Sequence, residues 1–166
     1  MLFYTKKPGE MKNLGRKSLY ILLVSFIVIQ FFRPEMNRGG ETNAGDLFSH
    51  HPGTPDDIRA MISHSCYNCH SNNTDYPWYA QVAPFSWIIS QHISNGKAGM
   101  NLSEYGLLSD RQRIALLDGI CESVSDSSMP PANYLMFHSD AALDLDDITA
   151  ICDWTDQAAF DLMTRK

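Results

Sequence analysis

Apolar positions along this chain recur at helical spacing, and no convincing strand-like alternation accompanies them. From Leu19 to Phe32 the sequence is almost wholly apolar, LYILLVSFIVIQFF. A polar, glycine-rich stretch comes next, NRGGETNAGDLFSHHPG. Apolar residues then return in threes and fours: Ile58, Met61 and Ile62; Trp87 and Ile88 with Gln91 and His92 on the same side; Ile114, Leu117 and Cys121; Ile148, Ile151, Cys152, Thr155, Ala159 and Leu162. Residues three and four apart share one face of an α-helix, so each group predicts a helix with these residues along one side, and the last group marks a buried face.

Local signals bound these helices. Thr54-Pro55-Asp56-Asp57 reads as a start, with Thr54 as cap, Pro55 in the first helical position and Asp57 closing a capping box. The helix it opens runs into Cys66. A second is predicted from about Pro84 to Asn95, with Gly96 as its stop. A third runs from a Ser109 cap to about Val124, and a fourth starts after Asp144, with Asp147 three positions on. The fold class expected is all-α.

The apolar run is about fourteen residues, or roughly 21 Å as a helix, against a bilayer core of about 30 Å. Lys6, Lys7, Lys12, Arg16 and Lys17 precede it, against one acid, Glu10. That bias keeps the N-terminus cytoplasmic and sends the rest of the chain across the membrane. The bulky, charged sequence after the run, QFFRPE, lacks an A-x-A-like cleavage site. A single transmembrane signal anchor over 18–33 is therefore expected, with Lys17 and Arg33 snorkelling outward. A cleaved signal peptide and a buried core helix are the alternatives. The organisation predicted is a basic cytoplasmic flank over 1–17, the anchor, a linker over 34–53 and one folded domain over 54–166.

Charge sharpens this division. The whole chain carries 13 Lys and Arg against 19 Asp and Glu, a net charge of −6. Beyond Arg33 the balance is about 18 acids to about 7 bases. Such an acidic domain argues against nucleic acid as a partner. It suits either a basic docking protein or simple solubility.

Cys66-Tyr67-Asn68-Cys69-His70 carries the chemistry. C-x-x-C-H is the attachment pattern for c-type haem: two thiols three apart can each add to one vinyl group, and the adjoining histidine can supply an axial iron ligand. Zinc would need a second ligand pair, and the remaining cysteines, Cys121 and Cys152, stand singly. A thioredoxin-like site would come directly after a strand, whereas this motif closes a helical segment. Haem attachment to this motif takes place outside the cytoplasm, in agreement with the N-terminal signal. A bound macrocycle would also give a long loop such as Ser71 to Val82 something to pack on.

The sixth iron position needs a second ligand. Met129, in Ser127-Ser128-Met129-Pro130-Pro131, is the leading candidate, because the prolines stiffen its loop and favour extended backbone. Thioether with imidazole raises the reduction potential and suits electron transfer. Met100 is the second choice, and Met136, His92 and His138 remain open. His50, His51 and His64 read as linker or surface residues. Pro77-Trp78-Tyr79, Phe85-Ser86-Trp87 and Tyr134 could line a haem edge, and Lys97 could pair with a propionate. Each is equally accounted for by packing or solvation.

CYNCHSNNTDYPWYAQVAPFSWIISQHISNGKAGMNLSEY, MPPANYLMFHSDAALDLDD and the N-terminal VIQFFRP together resemble the small membrane-anchored haem-binding domain proteins of bacteria, a c-type cytochrome family. The resemblance runs from about Leu19 to Trp154. It implies a cytochrome-c-like helical domain with one covalent haem c, attached at Cys66 and Cys69, with His70 as proximal and Met129 as distal iron ligand. Cys121 and Cys152 fall outside that pattern. On these helix faces they are either a disulfide or two buried thiols.

The expectation is an electron carrier facing the periplasm from the inner membrane, with no catalytic residues, no small-molecule substrate and a redox partner the sequence does not identify. A haem peroxidase, or a gas or redox sensor with a labile sixth ligand, is the competing expectation.

Overall fold

The computed structural model describes residues 8–40 and 44–165, with side chains from residue 13 onward. Lys6, Lys7 and the rest of 1–7 lie outside it. In chain order the helices are α1 (Pro8–Ile29), α2 (Leu47–His50), α3 (Asp56–Ser65), α4 (Tyr67–His70), α5 (Phe85–Gly99), α6 (Asp110–Ser125), α7 (Ala132–Leu135) and α8 (Leu145–Thr164). Three 3₁₀ turns, at Trp78–Gln81, Leu102–Leu107 and Ser139–Ala141, punctuate the connections. The only strand-like pairing among the described residues is a single bridge between Arg38 and Asn73. The fold is all-α, as the periodicity predicts.

The chain forms two compact units: 1–35 with 76–90, and 36–75 with 91–166. In the first, α1 starts ten residues before the expected anchor and ends four residues short of it. Its continuous apolar part, Leu19 to Ile29, spans about 16 Å at 1.5 Å per residue. Among the described residues no helix is long and apolar enough to cross a membrane. The transmembrane span expected over 18–33 is therefore not found: basic residues occupy the first half of α1, and the chain turns at Gln30. The Gln30 side chain there donates to the Ala83 carbonyl and accepts from the Ala83 amide, at 3.1 and 2.9 Å. Trp87 Nε1 donates to the Phe32 carbonyl at 2.6 Å.

In the second unit, α6 packs along α8, and α3 packs on α8 and α4. The core joins Ile58 and Ile62 of α3, Leu117, Ile120 and Val124 of α6, and Ile151, Ala158 and Leu162 of α8. Each fully buried Leu or Ile contributes about 1.5–3 kcal/mol over an exposed one. Ser109 with Gln112 and Asp144 with Asp147 form the capping boxes that start α6 and α8. Cys121 and Cys152 are joined as a disulfide across this pair, Cα atoms 4.8 Å apart.

Three expectations are corrected here. Residues expected as linker contribute to the core: Leu47 is fully buried, and Phe48 nearly so, on the short helix α2 that Asp46 caps. Thr54 does not cap α3; its hydroxyl donates to the His51 carbonyl at 2.6 Å, and Pro55 takes the cap position. Gly96 does not stop α5, which continues to Gly99.

Candidate haem-binding site

The C-x-x-C-H stretch is built as a helix end with one more turn beyond it. α3 stops at Ser65, Cys66 caps the turn α4, and the amides of Cys69 and His70 both return to the Cys66 carbonyl at 3.2 and 3.0 Å. This brings both thiols and the imidazole onto one short segment. The thiols are not bonded to each other. Burial and the neighbouring Cys69 push the Cys66 thiol up to about 12, and burial raises Cys69 as well. Both are therefore neutral thiols at neutral pH.

The two residues between the cysteines hold this turn in place. Tyr67 stacks flat on Phe48, ring centres 5.4 Å apart, and its hydroxyl donates to Asp46 at 3.1 Å. Asn68 accepts from the Asp75 amide and donates to the Tyr134 hydroxyl, at 3.1 and 3.3 Å. α5 closes on the same turn through Gly96. A β-carbon there would stand 2.7 Å from the Cys69 carbonyl oxygen, so only glycine lets the two backbones approach so closely.

His70 is oriented by backbone. Its Nδ1 donates to the Met100 carbonyl at 3.0 Å, which leaves the Nε2 lone pair free to ligate. Burial lowers the His70 pKa, and the carbonyls of Met100 and Gly96 offset part of that. The imidazole is neutral at pH 7, the form a metal needs. Met100, the second-choice distal ligand, thus has its backbone on the Nδ1 side of His70, away from the ligating nitrogen.

A cavity of about 1010 Å³ opens beside this turn. Cys66, Cys69, His70 and Met129 all line it, as do Met100, Ser123, Val124 and Pro131. Its volume lies at the upper end of the ~300–1,000 Å³ usual for small-molecule and cofactor pockets. The four residues picked out by the sequence therefore face one space, although 59 positions separate His70 from Met129. Met129 is 39 % exposed, and its amide donates to the Ser123 carbonyl at 3.0 Å. His92, Lys97, Asn133 and Tyr134 also line the cavity, and Asn133 Nδ2 lies 3.5 Å from His92 Nε2. Lys97 donates to Asn37 at 2.8 Å.

The profile of a haem-binding domain family matches residues 24–157, most of the chain. The chain belongs to the haem-binding domain family. No curated protein and no solved structure matches it.

The residues of this haem-binding domain fit the cofactor. Two unpaired thiols, a neutral imidazole with one nitrogen already committed, and a thioether all face a cavity of suitable size. Cys121 and Cys152 are bonded to each other, so neither can complete a zinc site with the first pair. Other candidates lie elsewhere. Trp78, Tyr79, Phe85 and Trp87 belong to the first unit, where the Trp78 and Tyr79 rings pack edge to face. Met136 does not line the cavity, and His138 stacks on Tyr134 with ring centres 4.3 Å apart. His64 pairs with Asp140 at 2.8 Å on the surface, while His51 is half-buried and bonded to the Tyr105 hydroxyl at 2.8 Å. Sequence reasoning missed Tyr67, Asn68 and Gly96 as supports of the site. Gly96 was legible only as a helix terminator, because spacing does not reveal which backbone lies opposite.

Proposed function

We propose that this haem-binding domain is a mono-haem c-type cytochrome that carries electrons outside the cytoplasm. The observation that carries this reading is the convergence of Cys66, Cys69, His70 and Met129 on one cavity, with His70 Nδ1 tied to the Met100 carbonyl. Cys66 and Cys69 would hold the porphyrin through their thiols. His70 Nε2 and the Met129 thioether would be the side chains that ligate its iron. When bound, the iron supplies one-electron exchange between ferric and ferrous states, and imidazole–thioether ligation raises its potential. A chain that would supply both iron ligands from its own side chains leaves no open position for a substrate, which supports a carrier over an enzyme.

The location belongs to the same proposal. Basic residues ahead of an apolar segment direct the domain out of the cytoplasm. Leu19 to Val24 and Phe26 to Val28 of α1 are largely exposed, an apolar surface that suits membrane association.

Covalent attachment is tested by peroxidase-based haem staining after denaturing electrophoresis. Wild type should stain, and Cys66→Ser with Cys69→Ser should not; staining retained by the double variant refutes the assignment. Ligation is tested in the native ferric protein by the weak long-wavelength sulfur-to-iron absorption, expected in wild type and absent in Met129→Ala. A second reading, a haem peroxidase or a gas or redox sensor, draws support from His92 and Asn133 in the cavity wall and from the partial exposure of Met129. A high-spin ferric spectrum with rapid peroxide reaction would favour it over the carrier.

A further inference from the structure

The Cys121–Cys152 disulfide lies outside the cavity wall, yet Cys121 sits two residues before the carbonyl that holds Met129. The last four carbonyls of an α-helix have no partner within the helix. In α6 one of them, that of Ser123, accepts the Met129 amide at 3.0 Å and the Ser128 hydroxyl at 3.2 Å. The intervening turn is costly. Ser127 is held at φ 61°, in the left-handed region where side chains other than glycine are rarely found. Such a conformation persists only where its surroundings fix it. The Met129 loop is therefore a strained turn hung on the final turn of a helix, and final helical turns fray.

Two features oppose fraying at that end. Val124 is buried in the core, and Cys121 is bonded to Cys152 of α8. Ser125 lies against both sulfurs, its Oγ 3.7 Å from Cys121 Sγ and 3.5 Å from Cys152 Sγ. The C-terminal end of α6 is thus clamped to α8 at Cys121, just before its last turn, while the Ser123 carbonyl within that turn holds Met129 at the cavity.

We propose that the Cys121–Cys152 disulfide is a positioning element for Met129, and that opening it frees the sixth iron position to outside ligands. This rests on Met129 being the distal ligand. The cysteines do not touch the iron; they act through Ser123.

The test uses the haem-loaded protein and imidazole, which competes with Met129 for ferric iron. Titrations are compared for wild type, Met129→Ala, and the double variant Cys121→Ser with Cys152→Ser, all well below their melting temperatures. Met129→Ala should bind imidazole far more tightly than wild type. The double variant should show a weaker sulfur-to-iron band and about tenfold tighter imidazole binding, because apparent affinity scales with the fraction of open sites. Wild-type affinity and a wild-type band in the folded double variant overturn the proposal. Equal affinity in wild type and Met129→Ala instead overturns the ligand assignment beneath it. Should the double variant fail to fold, the wild-type protein is held ferrous with ascorbate, with or without a phosphine. The phosphine takes one oxygen from water, becomes the phosphine oxide and leaves two thiols. Carbon monoxide should then bind about tenfold faster after phosphine treatment; an unchanged rate overturns the proposal.

Discussion

Gly96→Ala tests the way α5 closes on the C-x-x-C-H turn. In an ordinary exposed helix interior, replacing glycine by alanine stabilises by about 1 kcal/mol. Here the added carbon would stand 2.7 Å from the Cys69 carbonyl oxygen and 3.2 Å from both its carbonyl carbon and its β-carbon. The obstacle is backbone, so it cannot rotate away. α4 and α5 must separate by roughly 0.7 Å to reach ordinary van der Waals contact. Overpacking of this kind costs about 1–3 kcal/mol. Set against the propensity gain, the net is a loss of about 1 kcal/mol, or about 4 °C in melting temperature for a domain of this size. Separation would also draw His70 from the Met100 carbonyl, since Met100 comes directly after α5. The assay is thermal and urea unfolding of the haem-loaded protein. Gly99→Ala serves as the control: it ends the same helix, and its added carbon meets nothing within 4 Å. The control should change stability by less than about 0.5 kcal/mol. If Gly96→Ala instead gains about 1 kcal/mol like any exposed helical glycine, the close approach to Cys69 does not exist and the account of the turn fails.

Replacing Cys121 and Cys152 together by serine should lower stability by roughly 3–4 kcal/mol, the loop-closure effect for about thirty residues, read from the urea midpoint; a change under about 1 kcal/mol would argue against a structural bridge. Phe48→Ala should cost about 3–5 kcal/mol if Phe48 is a core residue that Tyr67 stacks on, and near zero if the segment is a linker. Burial raises the Asp46 carboxyl, but hydrogen bonds from the Ser49 side chain, the Ser49 amide and Tyr67 outweigh it and hold its pKa below the ordinary 3.8. Its contribution is therefore complete above about pH 4 and lost as pH falls through the lowered folded value, so Asp46→Asn should flatten the fall in melting temperature below about pH 4. His51 is lowered by burial, then by Arg165, His50 and Arg113; its share of stability is full above about pH 6.5 and declines as pH drops below that. His51→Gln should remove this part of the slope.

What could be read from the sequence was what depends on neighbours along the chain. The caps at Ser109 and Asp144 depend only on residues within one turn, and both form, that of Ser109 as a capping box with Gln112. Helical periodicity alone picks out the buried face of α8 through Ile151, Thr155, Ala159 and Leu162; in α6 it finds Leu117, leaves Ile114 and Cys121 only partly buried, and misses Ile120 and Val124. Thr54 shows where this stops: its hydroxyl could accept from an amide at the helix end or donate to the His51 carbonyl, and in its buried position it donates to His51. Leu47 and Phe48 were hidden inside a polar stretch because two apolar residues make no period. The disulfide needed a distance that spacing does not supply, and the structure sets it at 4.8 Å between Cα atoms.

The site itself divides along the same line. Its ligand candidates were legible because reactive side chains are rare and their spacing is chemical: Cys66, Cys69 and His70 form a motif, and Met129 precedes two prolines. Their holders were not legible, because the holders are backbone carbonyls. Met100, directly after α5, accepts from His70 Nδ1, and Ser123, in the last turn of α6, accepts from the Met129 amide. The Ser123 carbonyl is one that a helix leaves unpaired at its C-terminus, and the Met100 carbonyl stands just past such an end. Any residue type offers such an oxygen, so nothing in the identity of Met100 or Ser123 announces the role. Replacing either side chain should therefore disturb ligand geometry less than loosening the helix end that carries it. That is why a glycine in α5 and a disulfide on α6, neither resembling a cofactor motif, are the positions at which this site is most open to perturbation.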